Sequence, residues 1–262
     1  MNTKSDLPPV FLLGAGNLAN GIASGLMNIS YPITGWWARN HSEISLPKNA
    51  DSDLLKKSLH EIPEKTQIII LAVSDSAIQK LSGQIPAGEY LVCHCSGSMH
   101  INILSDHNAR GVFYPLQTFS KGRMPVWDEI PVFTETTNAE MHKRLSLLAS
   151  SLSTICITCK SETRLKAHLS AVISANFTNH LLYESMRIMQ DNKLNFQWLR
   201  PLMEETIRKA FDLGNPSLSQ TGPAKRNDLE TIQEHLKALE KNTDLKQIYQ
   251  LLTKAIQTQK KT

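Results

Sequence analysis

The sequence predicts an α/β N-terminal domain on a mostly parallel, doubly wound sheet, residues 1–160, followed by an all-α C-terminal domain, residues 161–262. Three observations lead there. An apolar strand over Val10–Leu13 runs straight into the turn Gly14-Ala15-Gly16-Asn17-Leu18-Ala19. Strand-like and helix-like segments then alternate as far as Thr158, the pattern of parallel crossover units. From Glu162 onward the text is helical, with no convincing strand.

The elements follow in order. Pro9–Leu13 is a strand, and Leu18, Ile22 and Leu26 recur at four-residue spacing in a helix over Leu18–Asn28. Ile33–Trp37 is the second strand and Asp53–Leu59 a short helical stretch. Gln67–Val73 is a wholly apolar run between polar flanks, which marks a buried parallel strand. Ser76–Ile85 reads as a helix and Tyr90–Cys95 as a strand. Gly111–Phe113 is a short strand leading to Tyr114-Pro115. Pro131–Thr134 and Thr154–Thr158 are strands on either side of a helix over Ala139–Leu152. Leu165–Gln190 is apolar around most of its circumference, so a buried central helix is expected. Phe196–Asp212 follows, with Pro201 in its first turns, and Gly214-Asn215-Pro216 breaks the chain. Asp228–Leu239 and Asp244–Thr258 are amphipathic, with Asp228 and Asp244 as N-caps or first-turn acids. The end, Gln257–Thr262, is a polar tail.

Composition bounds the function. The chain has 262 residues, 41% hydrophobic and 20% charged, enough to bury a core. Its net charge of +4 is spread along the sequence, so neither a nucleic acid nor a membrane is an expected partner. The start MNTKSDLPP lacks the apolar centre of a signal peptide, and no apolar run nears the ~18 residues of a membrane helix. A cytoplasmic protein is expected. Cys93-x-Cys95 and Cys156-x-x-Cys159 lie in strand-like text without a partner pair at zinc spacing. They are read as reduced, buried thiols acting as small apolar residues, and no metal site is assigned.

The glycine turn has the chemistry of a dinucleotide site. Gly14 permits the tight turn, Gly16 lets a pyrophosphate approach the backbone, and Ala19 lets the helix pack closely on the strand. Ala15, Asn17 and Leu18 complete the turn, and the helix N-terminus offers free N–H groups to the phosphates. After the second strand stands Trp37-Ala38-Arg39-Asn40-His41-Ser42, where an NAD enzyme usually places an acid. Arg39 offers a forked donor set to a 2′-phosphate, with Asn40 and Ser42 as neutral donors, so the cofactor is read as NADP(H). Two further strand ends, Ala72-Val73-Ser74-Asp75 and His94-Cys95-Ser96-Gly97-Ser98, should flank its ribose and nicotinamide. Asp75 itself is read as a helix N-cap.

These pieces, with Tyr114-Pro115-Leu116-Gln117-Thr118-Phe119, Ala175-Asn176-Phe177 and Thr221–Asp228, resemble the Rossmann-like proteins that carry a DUF2520 C-terminal domain. That family of NADP oxidoreductases is similar, more distantly, to pyrroline-5-carboxylate reductase and the β-hydroxyacid dehydrogenases. The resemblance implies a Rossmann domain, an all-helical second domain, and a homodimer formed through it. It also implies a small 2-oxo acid as substrate, as in ketopantoate reductases. The family commonly has His-Pro where this chain has Tyr114-Pro115, so an imidazole role does not carry over to that position.

His168, Val172, Asn176, Asn179 and Tyr183 recur at 3- and 4-residue spacing as one polar stripe on the long helix. His168 is the expected proton donor; Asn176 orients a substrate carbonyl, and Asn179 adds a donor for the substrate. The same groups can equally tie helices together in a core. The Lys/Asn pair of the β-hydroxyacid dehydrogenases is not reproduced, because no lysine sits one turn before Asn176. In Thr221–Asp228, Arg226 can clamp a substrate carboxylate and Asp228 can orient it, or the segment is simply a capped surface turn. Gln117 and Thr118 follow a strand end and can reach the substrate. The expected activity is NADPH-dependent reduction of a small carbonyl acid. A cyclic imine reductase and a non-catalytic NADP(H)-binding regulator are the alternatives.

Overall fold

The structure is a computed structural model that describes residues 7–46 and 52–259; the last three residues of the expected polar tail lie outside these ranges. Seven strands form one sheet: β1 (Val10–Leu13), β2 (Ile33–Trp37), β3 (Ile68–Leu71), β4 (Leu91–His94), β5 (Ala109–Pro115), β6 (Val132–Thr136) and β7 (Cys156–Thr158). Their order is β2-β1-β3-β4-β5-β6-β7, and every pair is parallel except β5 with β6. All of β1, β3 and β4 is buried, because helices cover both faces of a crossover sheet. Alternate residues feed two cores. Val10, Leu12, Ile68 and Ile70 face α1 (Asn17–Asn28) and α3 (Ala139–Leu152), whereas Phe11, Leu13, Ile69 and Leu71 pack with Ile78 of α2 (Asp75–Gln84).

Several expectations change in detail. Asp53–Leu59 is not one helix but two 3₁₀ turns, Ser52–Leu54 and Leu59–Glu61, because Leu55 bridges to Trp36 and Ser58 caps the second turn. The Gly111–Phe113 strand extends to seven residues, since its antiparallel partner β6 continues the ladder as far as Pro115. Asp75 is not an N-cap; Ser74 holds that position, and Asp75 in the first turn accepts from Ser98 Oγ at 2.9 Å. Cys93 and Cys95 are buried as expected, but Cys156 is exposed and Cys159 half-buried. β7 is an edge strand, so its side chains are not enclosed between covered faces.

The chain divides into two compact units, Met1–Ser174 and Ala175–Thr262. That division lies inside helical text. α4 (Ser161–Ala171) belongs with the sheet because its first turn is bonded there. Ser161 Oγ donates to Glu135 Oε2 at 2.7 Å and accepts from the Ile101 N–H at 3.1 Å. Arg164, 1% exposed, pairs with the same carboxylate oxygen at 2.5 Å and donates to the Met99 carbonyl. Ser161, Arg164 and His168 share one helix face, opposite Ile101, Met99 and Gly97 on the segment that leaves β4.

The long central helix is neither continuous nor buried. A π-helical segment, Val172–Phe177, separates α4 from α5 (Thr178–Asp191) and breaks the 3- and 4-residue repeat of the expected polar stripe. Leu165, Leu169, Ile173 and Phe177 are about half exposed or more. The second unit continues through a 3₁₀ turn at Phe196–Leu199 and α6 (Arg200–Asp212), then two short helices, α7 (Pro216–Ser219) and α8 (Pro223–Arg226). α9 (Leu229–Ala238) and α10 (Thr243–Gln257) complete it. Asp228 caps α9, accepting from Thr231 N–H at 3.1 Å, while Asn242 caps α10 and Asp244 is an acid of its first turn, one of the two roles expected for it. No helix among the described residues is long and apolar enough to cross a membrane.

Candidate functional site

The first unit gathers its polar strand ends around the glycine turn. Gly14 has φ +118°, and a Cβ there would stand 2.1 Å from the Ala72 carbonyl oxygen, so only glycine lets the β1 and β3 exits lie this close. Its N–H donates to the Trp37 carbonyl at 2.9 Å, and its carbonyl accepts from Trp36 Nε1 at 2.6 Å. The turn is thereby bonded to β2 before any ligand is considered. Gly16 has an ordinary φ of −68° and nothing within 4 Å of its missing Cβ. It is the N-cap of α1, with no side chain bonded to the first-turn N–H groups. Asn17 is exposed at the helix start, Ala15 and Leu18 are half-buried, and Ala19 is fully buried against the core. An open backbone cradle and an uncapped helix N-terminus fit a pyrophosphate.

Asn20, which carries no role in the sequence reading, braces this turn. Its Nδ2 donates to the carbonyls of Ala15 (2.7 Å), Gly16 (3.1 Å) and Glu43 (3.2 Å), and its Oδ1 accepts from Ser45 N–H at 2.7 Å. One amide thus joins the glycine turn to the segment after β2. Its signal in the sequence is a second amide one turn after Gly16, three residues beyond Asn17 and between Ala19 and Gly21. On that segment Arg39 is exposed. Asn40 is engaged as a cap: its Oδ1 accepts from Ser42 N–H and Oγ, and its Nδ2 donates to Glu43 Oε1. A cavity of about 600 Å³ runs from Gly16 and Asn17 past Ser42 to a wall that includes Lys121 and Arg123, two cations the sequence reading passed over.

A second cluster forms where β4 and β5 end. His168 of α4 rests on Gly97, where a Cβ would meet the imidazole at 2.6 Å, so the ring lies in the space that glycine leaves. Its Nδ1 lies 2.9 Å from the Tyr114 hydroxyl, with the rings edge to face. Burial pushes the Tyr114 phenol up from its usual range, and the Arg164 charge opposes that in part. Ser96 is buried and accepts from the N–H groups of Ser98 and Met99, which holds the turn containing Gly97. Ala72 is buried, Val73 half-buried and Ser74 exposed at the β3 exit. Gln117 and Thr118 are exposed and bonded to each other through Gln117 Oε1 and Thr118 N–H at 2.8 Å.

The structure therefore brings His168, Gly97 and Tyr114 together, with Ser96 holding the turn that carries Gly97. The residues expected beyond them lie in the second unit. Asn176, in the π segment, and Asn179, on α5, are exposed there. Arg226 ends α8 and stands 3.9 Å from Asp228, an exposed and weak contact. Gly222 at φ +100° and Pro223 at the helix start shape that turn.

His94 supplies a pH test. It is fully buried at the end of β4; its Nδ1 accepts from Ser96 N–H at 3.1 Å, and its Nε2 has no partner. Burial first, and the nearby Arg164 charge second, bring its pKa down from 6.5 to about 4. As the pH falls through 6.5 the unfolded chain takes the proton first, so this contribution is complete above 6.5 and disappears towards 4. The expected loss is about 3 kcal/mol at the acid limit. Urea titrations across this range should show it, and His94→Asn should flatten that acid limb; an unchanged limb in the variant would contradict the assignment.

Residues 130–256 match the domain of unknown function DUF2520. A protein from Bacteroides fragilis described as a putative NADP oxidoreductase is 33% identical, with 97% of this chain and 99% of that one aligned at a TM-score of 0.87. The Plasmodium falciparum pyrroline carboxylate reductase with NADP bound shares the fold at 15% identity and TM-score 0.56, over 97% and 99% of the two chains. The Aspergillus terreus reductive aminase in complex with NADPH and ethyl levulinate shares it at 11% identity and TM-score 0.72, over 95% and 94%. A search of functionally curated proteins gives no match. Identity over nearly the full length of the Bacteroides protein, together with the C-terminal domain match, places this chain in the DUF2520 family of Rossmann-like NADP oxidoreductases.

Proposed function

We propose that this chain is an NADPH-dependent reductase of a small carbonyl acid, with a 2-oxo acid of the ketopantoate type as the substrate class. The observation that carries this reading is the pairing, in one unit, of an open glycine cradle at Gly16 with an imidazole lodged on Gly97 at the β4 exit. Gly14 to Ala19 would hold the pyrophosphate, Arg39 and Asn40 the 2′-phosphate, and Ala72, Val73, Ser74 and Ser96 the ribose and nicotinamide side. When bound, NADPH supplies the hydride. The residues must orient the carbonyl and protonate its oxygen. His168 does the latter: as imidazolium it gives its Nε2 proton to the oxygen and returns to neutral imidazole. Gln117 and Thr118 offer further polar groups to the substrate from the β5 exit. On the helical unit, exposed Asn176 and Asn179 offer amides to a carbonyl and Arg226 a guanidinium to a carboxylate.

The helical unit also supports a homodimer. Among its described apolar residues only Ala224 and Ile232 are buried, while Trp198, Leu202, Phe211, Leu218 and Leu251 are 63–82% exposed. A soluble monomer rarely leaves so much apolar surface uncovered, and a second copy would bury it.

Three outcomes test these statements. Arg39→Ala should weaken NADPH binding about tenfold while leaving NADH binding unchanged, because only the 2′-phosphate loses a charged donor; equal losses would remove Arg39 from the phosphate. Against a panel of 2-oxo acids and pyrroline-5-carboxylate, the wild type should oxidise NADPH with a 2-oxo acid, and His168→Gln should lower that turnover at least about 100-fold at unchanged NADPH affinity. Tight NADPH binding with no turnover on any compound would favour a regulatory protein. Sedimentation should find a dimer for the wild type and a monomer for Phe211→Glu; a monomeric wild type would refute the assembly.

A further inference from the structure

We propose that Tyr114 is a positioning residue that fixes which nitrogen of His168 carries the proton, so that Nε2 meets the substrate as a donor. This rests on the reading of His168 as the proton donor. Three contacts define the ring. Gly97 provides the space it fills, since any Cβ there would overlap the imidazole at 2.6 Å. The Tyr114 ring stands against it edge to face at 5.8 Å between centroids. The Tyr114 hydroxyl lies 2.9 Å from Nδ1. Nδ1 is therefore committed to tyrosine, and Nε2 is the ring atom left for a substrate.

A phenol suits this position because it can both donate and accept. Burial keeps Tyr114 protonated, while the Arg164 charge nearby makes its hydroxyl a better donor than it would otherwise be. With neutral His168 the hydroxyl donates to Nδ1, so the imidazole proton resides on Nε2. With the imidazolium, Nδ1–H donates to the phenol oxygen and Nε2 bears the proton that goes to the substrate; the neutral ring left by that transfer keeps its proton on Nδ1, still bonded to the phenol oxygen, until Nε2 is protonated again. The same 2.9 Å contact thus serves both charge states, without the ring turning. A carboxylate at this place would accept only and would bind the cation preferentially. Tyr114 is itself held: its ring packs on Phe133 at 6.1 Å, and its strand pairs Tyr114 with Phe133 across β5 and β6.

Arg164 supports the arrangement from one turn earlier on α4. Its pair with Glu135 and its bond to the Met99 carbonyl keep the helix on the segment that carries Gly97. The imidazole is in this way located by the backbone on one side and by a phenol on the other.

The test uses the full chain with ¹⁵N-labelled histidine and needs no substrate. Two-bond ¹H–¹⁵N correlation at alkaline pH should show His168, identified by its loss in His168→Gln, as the Nε2–H tautomer. In Tyr114→Phe, which keeps the ring and its packing on Phe133, the resonance should move to a mixture containing Nδ1–H; an unchanged tautomer overturns the proposal. Turnover of the accepted 2-oxo acid gives a second readout. Tyr114→Phe should lower kcat about tenfold with KM for NADPH unchanged, and the double variant Tyr114→Phe/His168→Gln should be no slower than His168→Gln alone. A further loss in the double variant would show Tyr114 acting on the substrate directly and overturn the positioning role. Full turnover in His168→Gln would instead remove the donor reading, and would leave the tautomer result standing.

Discussion

The buried ion pair between Arg164 and Glu135 is the constraint on which the β4 end of the site depends. A buried guanidinium is costly unless its charge and its N–H groups are satisfied. Here Glu135 supplies the charge to one terminal nitrogen, Met99 a carbonyl and Ser161 a hydroxyl oxygen to the other, all from groups within the first unit, while the buried Nε has no partner. Because these partners come from β6, from the β4 exit and from α4 itself, the pair ties a helix that opens the helical text onto the sheet. His168 is then one turn away, against Gly97. The same charge contributes to keeping His94 neutral and moderates the burial of Tyr114, so one side chain sets both position and field.

The glycine end is built differently. Among the described residues it is held not by charged side chains but by backbone bonds, the Trp36 indole and the Asn20 amide. Gly14 is bonded to β2 through both its N–H and its carbonyl, and Asn20 joins the turn to the segment after β2. The consequence is a braced cradle that lies open where Gly16 carries no side chain. Positive charge in the cavity wall comes from Lys121 and Arg123, carried by the connection between β5 and β6, whereas Arg39 is exposed on the segment after β2 and is not part of that wall. A pre-formed cradle lowers the ordering cost of binding a large, flexible dinucleotide.

Much of the first unit was legible in the residues. Ile33–Trp37 and Ala139–Leu152 are found with the boundaries their patterns predict, because continuous apolar text and 3.6-residue repeats are dictated by burial on two faces or on one. The glycine turn was legible because its steric need is local. Asp228 as a cap was legible for the same reason. Three other features were not. The π segment at Val172–Phe177 leaves no mark in an apolar sequence, yet it breaks the expected stripe. The burial expected for Leu165–Gln190 presumes a cover that periodicity does not identify, and in the single chain those apolar side chains are exposed. The fates of the cysteines depended on whether their strand was central or at the edge.

The residues by themselves determined the architecture, from patterns within a few tens of residues, and the resemblance to the family, from motifs spread along the chain. Only the tertiary structure decided which polar groups meet. Glu135 lies 29 residues from Arg164, and Tyr114 lies 54 from His168, with no spacing rule to join them. Such contacts form because strand order in the sheet sets β4, β5 and β6 side by side, and that order is a property of the folded chain rather than of any segment of it.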